Sequence, residues 1–140
     1  MKVTLLLADS AQATPPPYAK LYILGGGWSY TGPDVAAMAV AVLIEVPWDQ
    51  TNVRHAFRLE LVNDDGRPEV LPGDGTVRVD GEFEAGRQAG QLAGTPVNIP
   101  LAFNFPPLPL EGGRRFQWQF SIDGETREEW QVGFATRPRS

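Results

Sequence analysis

The sequence feature that most restricts the fold is a strict alternation of apolar and polar residues near the C-terminus. From Phe116 to Ile122 the two classes alternate without exception. Because successive side chains of a strand leave opposite faces of a sheet, this pattern predicts a half-buried β-strand. Asp123-Gly124 follows directly, and glycine accepts the positive φ that a tight hairpin needs. We therefore expect Arg115–Ile122 and Thr126–Phe134 to pair as an antiparallel hairpin.

Other segments repeat this two-residue period or form short apolar runs that end at turns. Both patterns are typical of strands. The further strands predicted in this way are Lys2–Ala8, Leu21–Leu24, Phe57–Leu61, Val77–Glu84 and Val97–Phe105. Pro100 lies within the last of these and cannot donate a backbone hydrogen bond, so we expect that strand at a sheet edge or with a bulge.

The longest apolar segment is Met38–Val46, whose alanines would also suit a helix. Its branched residues, however, fall on one face at period two from Val40 to Val46, and Pro47 follows directly. These features favour a strand over a helix. Since both faces are apolar, we predict a central strand that is covered on both sides.

Glycine and proline separate the predicted strands. The chain of 140 residues has 15 glycines and 13 prolines, and many of them lie in turn sequences such as Asn63–Gly66 and Pro106–Pro109. Seven or eight strands without an amphipathic helix predict an all-β fold, an antiparallel β-sandwich. We expect a single domain over residues 1–140 and favour an immunoglobulin-like Greek key, with a jelly roll or a small barrel as the alternative.

Charge and hydropathy exclude two classes of partner. Seventeen acidic and 12 basic residues give a formal net charge of −5, whereas nucleic-acid binding needs a basic surface. No segment approaches the roughly 20 apolar residues of a membrane span. The apolar run Val3–Ala8 is shorter than the roughly 7–15 residues of a signal-peptide core. We expect a cytoplasmic protein that binds neither nucleic acid nor membrane.

Most catalytic chemistries lack their residues in this chain. It has no cysteine and one histidine, which removes thiol nucleophiles and metal sites built from several histidines. The lone His55 shares strand parity with Phe57 and Leu59, which predicts a partly buried structural role. Gly25–Gly27 lacks the lysine and the helix of a phosphate-binding loop and favours a bulge or a close crossing of strands. We expect no cofactor.

Two sets of acidic residues leave alternatives open, namely aspartates in turns and glutamates on strand faces. They are Asp64, Asp65 and Asp74 in the first set, and Glu82, Glu84, Glu128 and Glu129 in the second. The aspartates do not fit an EF-hand loop but could hold a weak calcium ion between strands. The glutamates could form a glycoside-hydrolysing pair, roughly 6.5–9.5 Å apart in an inverting enzyme. Because any solvated strand offers such glutamates, we expect no enzyme activity.

Three aromatic residues lie in or beside predicted loops rather than on the core face of a strand. They are Trp28, Tyr30 and Trp48. Aromatic rings on the loops of a β-sandwich can stack on sugars or anchor a protein partner. They can also cap the ends of the core, a common use of tryptophan in a small sandwich. We treat these three as the candidate ligand or partner contacts.

Four segments carry a resemblance to a known family. They are Lys2–Ala11, Lys20–Trp28, His55–Gly66 and Pro106–Gly124. These segments resemble a family of small, uncharacterised bacterial all-β proteins of unknown function. The resemblance spans most of the chain and implies a single-domain bacterial protein. It implies no activity, ligand or catalytic residue.

The sequence therefore favours binding over catalysis. We expect a non-enzymatic binding or assembly module that acts through protein–protein contacts, with an unidentified protein partner or with a second copy of itself. Pairing of exposed edge strands is one means of such association. The alternative is a small-ligand or carbohydrate-binding module that uses Trp28, Tyr30 and Trp48.

Overall fold

A computed structural model describes residues 1–139, which form an all-β fold. The only helical segment among them is one 3₁₀ turn, Trp48–Gln50. The strands are β1 (Lys2–Ala8), β2 (Ser10–Ala13), β3 (Leu21–Leu24), β4 (Tyr30–Thr31), β5 (Met38–Val46), β6 (Arg54–Asn63), β7 (Val70–Leu71), β8 (Gly75–Thr76), β9 (Arg78–Glu84), β10 (Val97–Phe105), β11 (Arg115–Ile122) and β12 (Glu125–Thr136). No helix in the described part of the chain has the length and apolar character needed to cross a membrane.

The strands form two larger sheets and two small ribbons. One sheet has the order β1-β5-β10, and the other has the order β4-β12-β11-β6-β9. β2 pairs with β3, and β7 pairs with β8. Every pairing is antiparallel except that of β4 with β12, which is parallel. The expectation of a wholly antiparallel fold is therefore wrong for this pair.

The prediction of a central strand is confirmed for β5, which lies between β1 and β10. Both of its faces are covered from Met38 to Val42, whereas Leu43 on the outer face is 36% exposed. Val40 and Ile44 join the main core, whereas Ala39 and Ala41 point to the opposite face and are also buried. A covering element must therefore lie outside the three-stranded sheet.

The predicted hairpin at Asp123-Gly124 is present. β11 and β12 pair antiparallel, and both turn residues have positive φ, 52° for Asp123 and 79° for Gly124. Aspartate tolerates this conformation better than most residues with a Cβ. The pairing register shifts between Gln119 and Ser121, which marks a bulge or irregularity.

Side chains from both larger sheets meet in one core. Trp118 and Phe120 of β11 are fully buried among the valines and Ile44 of β5. Phe105 stacks on Trp118 with ring centroids 4.5 Å apart and so joins β10 to β11 across the core. Offset stacking of this kind adds to the apolar burial. The core thus holds the two sheets together.

The edge position predicted for the strand with Pro100 is also confirmed, because β10 pairs only with β5 in its sheet. Four short strands are absent from the sequence-based prediction, namely β2, β4, β7 and β8. Each has two to four residues. Segments this short carry too few residues to show an alternating pattern.

Core packing gives a first prediction. Leu59 on β6 is fully buried, whereas Leu92 lies in a loop and is 76% exposed. We expect Leu59→Ala to lower the free energy of unfolding by about 2–5 kcal/mol, because it removes buried methyl groups and leaves a cavity. Leu92→Ala should change it by less than about 0.5 kcal/mol. Urea denaturation of both variants measures the difference, and equal effects would contradict the described core.

Candidate functional site

The β2–β3 ribbon covers the outer face of β5. Ala11 and Ala13 of β2 are half-buried on the side that faces the sheet, whose Ala39 and Ala41 are buried beneath it. Small side chains on both surfaces allow this close approach. The Asn104 side chain on β10 donates to the Ala11 carbonyl at 2.9 Å and accepts from the Ala11 N–H at 3.2 Å. The Asn104 side-chain amide thus makes the two hydrogen bonds to Ala11 that a neighbouring strand would otherwise make.

The glycine run after β3 returns the chain from the ribbon to the sheet. The N–H of Gly27 donates to the Leu7 carbonyl at 2.7 Å, at the edge of β1. A Cβ on Gly26 would lie 2.8 Å from Cγ2 of Ile23, and Gly27 has a φ of 94°. The run is therefore a close backbone crossing, as the sequence suggested, and the next element after it is the strand β4.

The hydrogen-bond alternation of the ribbon leaves one edge free. Thr14 N–H donates to the Lys20 carbonyl, so Lys20 is at a hydrogen-bonded position of the ribbon. In antiparallel pairs, bonded and non-bonded positions alternate along each strand. Tyr22 and Leu24, two and four residues after Lys20, are therefore bonded to β2, whereas Leu21 and Ile23 direct their N–H and C=O groups away from it. The engagement of Ala11 with Asn104, on the opposite edge, agrees with this alternation. The outer edge of β3 thus presents two donors and two acceptors.

The side chains at this edge are apolar and exposed. Tyr22 is 55%, Ile23 40% and Leu24 70% exposed, and Leu6 lies nearby beside Gly26 at 36%. The four residues of β3 include no charge and no proline. Natural proteins place charged residues and prolines on edge strands to protect them from pairing. The outer edge of β3 lacks this protection.

Three other sheet edges in the described part of the chain are protected, namely those of β9, β10 and β4. The outer edge of β9 carries Asp80, Glu82 and Glu84, which are charged and exposed. β10 has Pro100 and is bordered by β2 through Asn104. β4 is only two residues long. β3 therefore differs from these edges in having both an apolar sequence and free backbone groups.

Two of the predicted contact residues, Trp28 and Tyr30, lie near the end of β12. Trp28 packs edge-on against Phe134, with ring centroids 5.9 Å apart, and its indole N–H is buried without a partner in the described structure. Tyr30 lies on β4 and is 50% exposed, with the Arg137 guanidinium 5.0 Å from its ring centroid. Trp28 thus caps the core, and Arg137 lies over the Tyr30 ring.

The third residue, Trp48, lies in the 3₁₀ turn after β5. The Arg87 guanidinium stacks 3.8 Å from its ring centroid, donates to the Trp48 carbonyl at 2.8 Å and donates to Thr51 Oγ1 at 2.6 Å. Arg87 also borders a cleft of about 480 Å³ between the tip of the ribbon, at Pro16 and Pro17, and the start of β10. The polar groups of Arg87 are used to hold the surrounding loops together.

The three aromatic residues do not form one platform. Tyr30 lies opposite Ala135, which is paired with Arg115 at the start of β11. Trp48 lies in the same 3₁₀ turn as Gln50, whose carbonyl contacts His55. The other ring nitrogen of His55 contacts Asp123 in the turn after β11, so Trp48 lies at that end of the strand. The eight residues of β11 separate these ends by about 23 Å, at about 3.3 Å per residue. A single sugar ring therefore cannot contact both ends.

His55 joins three segments of the chain. It is 6% exposed and stacks on Phe83. Its Nδ1 lies 2.8 Å from Oδ2 of Asp123, and its Nε2 lies 3.0 Å from the carbonyl of Gln50. The other oxygen of Asp123 accepts from the Ala56 N–H at 2.9 Å. Because both ring nitrogens face acceptors, only the imidazolium satisfies both contacts as a donor.

These contacts shift both pKa values. Burial lowers the pKa of His55, but the hydrogen bonds to Asp123 and Gln50, with the negative charge of Asp123, outweigh it and raise the pKa above its ordinary value of 6.5. The bond from His55 is the main reason why the pKa of Asp123 lies below its ordinary value of 3.8. The buried His55 ring, with a hydrogen-bond partner at each nitrogen, agrees with the structural role predicted for it.

Neither the turn aspartates nor the pair Glu82 and Glu128 forms a site in the described residues. Asp64 is bonded by Arg114 at 2.9 Å, which is the main reason why its pKa is lowered. No group of three histidine or acidic residues within 1–139 could hold a metal ion. Glu82 on β9 and Glu128 on β12 are separated by two intervening strands, hence by about 14 Å at about 4.8 Å per strand spacing. That separation exceeds the span of a glycosidase pair.

Comparison with known families matches most of the sequence to a family profile. Residues 3–133 fit the profile of DUF6941, described as a family of unknown function. The chain belongs to this family. No curated protein matches it. The family membership agrees with the resemblance seen in the sequence, and it assigns no function to the exposed edge of β3.

Sequence reasoning identified β3 as a strand but did not identify its edge as the exposed one. The available signal was an uncharged apolar segment, Leu21–Leu24, followed directly by three glycines. Whether such a strand is interior or exposed depends on its neighbours, which the local sequence does not specify.

The His55–Asp123 contact gives a pH prediction. Its stabilising effect is fully present below the unfolded histidine pKa of 6.5 and is lost as the pH rises through the higher folded value; it is also lost as the pH falls through the lowered pKa of Asp123. Asp123→Asn keeps a residue that tolerates positive φ but removes the charge. We expect it to cost on the order of 1 kcal/mol near pH 5.5, after allowing for the exposure of Asp123.

The cost of Asp123→Asn should shrink between pH 6.5 and pH 8.5, since neutral His55 no longer interacts with a full opposite charge. Urea midpoints of the wild type and the variant at several pH values measure this trend. A cost that is constant over this range would contradict the proposed charge pairing.

The Asn104–Ala11 contact gives a third prediction. Asn104→Ala leaves the N–H and C=O groups of Ala11 without their partner, so the β2 amides should exchange with solvent faster, by about tenfold for a bond worth about 1.4 kcal/mol. Asn98→Ala is the matched control, because Asn98 is exposed on the same face of β10. Hydrogen exchange of Ala11 measures the effect. Equal exchange in the two variants would show that Asn104 does not hold the ribbon.

Proposed function

We propose that this protein is a non-catalytic binding module that accepts an extended protein segment as an additional strand on β3. The observation that carries the proposal is the free outer edge of β3, where Leu21 and Ile23 direct their backbone groups away from β2. In strand addition, main-chain hydrogen bonds supply affinity and alternate side chains supply specificity. This edge offers both.

The side chains of β3 support an apolar partner strand. Tyr22 and Leu24 lie on the solvent-facing side of the ribbon, opposite Gln12 and Ser10 of β2. An incoming strand would place its own apolar residues beside them. Since cross-strand aromatic and aliphatic pairs stabilise sheets by roughly 0.2–1 kcal/mol each, a segment that matches these residues would be preferred over a polar one.

The absence of catalysis is part of the proposal and has two supports. Both ring nitrogens of His55 are occupied by structural contacts. The separation of Glu82 from Glu128 also does not suit a glycosidase pair. A role in binding uses the backbone of β3 and requires neither group.

We further propose that the fold is an immunoglobulin-like Greek key within the all-β class. In that architecture the first, second and fifth strands share one sheet, and the third, sixth and seventh share the other. Without the two ribbons and β4, the orders β1-β5-β10 and β12-β11-β6-β9 follow this arrangement, with β9 as the extra strand of a variable-type domain and no counterpart of the fourth strand among the described residues. The β2–β3 ribbon would then be an addition to this framework.

The binding proposal is tested by blocking the edge with proline. Ile23→Pro removes an outward N–H and no bond to β2, so the ribbon should still form. Glu82→Pro is the matched control at the edge of β9: the bond from Leu61 N–H to the Val77 carbonyl places the Glu82 N–H outward as well. Each variant and the wild type are used as baits. Any protein that a bait retains is then purified and mixed with that bait, and hydrogen exchange of the mixture is measured.

The expected result is a protein that wild type and Glu82→Pro retain and that Ile23→Pro releases. In the complex, the amides of Leu21 and Ile23 should become protected from exchange. If a retained protein is unaffected by Ile23→Pro and leaves these amides unprotected, binding occurs elsewhere and the proposal is wrong.

A further inference from the structure

The free edge of β3 is self-complementary. Its two outward-facing residues, Leu21 and Ile23, flank Tyr22 symmetrically. When two copies of β3 run antiparallel about an axis at Tyr22, Leu21 of each copy lies opposite Ile23 of the other. Both are hydrogen-bonded pairs, in which N–H and C=O are exchanged in both directions. All outward backbone groups of both strands are then satisfied by residues of β3 alone.

The neighbouring registers are less favourable. An axis at Ile23 places Leu21 opposite Gly25, whose φ of 65° lies outside the extended region. An axis at Leu21 places Ile23 opposite Ala19, which precedes the strand and follows the proline-rich tip. Only the axis at Tyr22 keeps every bonded residue within the four extended residues of β3.

The side chains and charges agree with this register. The two Tyr22 residues form a non-hydrogen-bonded pair, in which side chains approach most closely and aromatic pairs are favourable. Leu24 lies opposite Lys20 of the second copy, so no like charges face each other. The net charge of −5 opposes association in general, but β3 itself contributes none of it. The exposed areas of Tyr22 and Leu24 are covered in the pair.

We propose that two copies of this chain associate through antiparallel pairing of β3 about a two-fold axis at Tyr22. The inference rests on the proposed function, because it names a second copy as the occupant of the same edge. The two ribbons form one four-stranded sheet, β2-β3-β3-β2, on the outside of both molecules. A contact of this length is small, so the dimer dissociates on dilution.

Disulfide trapping tests the register. The chain has no cysteine, so a disulfide in a single-cysteine variant joins two copies. Tyr22→Cys places two sulfurs across the axis, where the Cα separation of about 4.5 Å lies within the range for a disulfide. Gln12→Cys is the matched control, because Gln12 is paired with Tyr22 on the same exposed face of the ribbon. In the paired ribbons the two cysteines at position 12 would be about 14 Å apart, because three strand spacings separate the two β2 strands.

We expect Tyr22→Cys to form the covalent dimer at least about tenfold faster than Gln12→Cys under the same oxidant, because pairing raises the local thiol concentration. Adding Ile23→Pro to Tyr22→Cys should abolish this difference. Sedimentation of the wild type over a concentration series should show a dimer that Ile23→Pro removes and Glu82→Pro retains.

Equal trapping rates for the two cysteine variants, together with a wild type that stays monomeric throughout the series, would overturn the inference. If Ile23→Pro nevertheless releases a retained partner protein, the strand-addition function stands and only its occupant is wrong. If Ile23→Pro changes neither self-association nor partner retention, both proposals are wrong.

Discussion

Burial of β5 on both faces is the constraint on which the rest of the structure depends. Its inward face supplies Val40 and Ile44 to the core shared by the two larger sheets. Its outward face would be open to water in a three-stranded sheet, yet Ala39 and Ala41 are buried there. Unpaired apolar surface of this extent needs a cover, and the β2–β3 ribbon provides it. The glycine run and the Asn104 amide both serve to hold that ribbon in place.

The cover creates the feature on which binding is proposed. A ribbon of two strands has two edges, and the contact with Asn104 occupies only the edge of β2. The edge of β3 therefore remains outside, with Leu21 and Ile23 directing their backbone groups away from the molecule. Because β3 carries no charge or proline, nothing in its sequence opposes pairing with a further strand. Strand addition at this edge thus follows from the way in which β5 is covered.

Much of the fold could be predicted from local patterns. The alternation from Phe116 to Ile122 and the Asp123-Gly124 turn specify a hairpin over a few residues, so its prediction is confirmed. The parallel strand β4 could not be predicted in this way, because two residues show no period and its partner is about a hundred positions away. The candidate site divides similarly: β3 was predicted as a strand, but its free edge was not. Trp28, Tyr30 and Trp48 were grouped by their loop positions, and the structure separates them.

The sequence by itself determined the strands other than β2, β4, β7 and β8, and which side of most of them is apolar, since an alternating pattern is a property of adjacent residues. The tertiary structure alone decided which strand edge stays open. That outcome depends on contacts such as the one between Ala11 and Asn104, which are 93 positions apart. Backbone hydrogen bonds join any two strands irrespective of their side chains, so local sequence cannot specify which strand edges are left without a neighbour. In this protein the outer edge of β3 is such an edge.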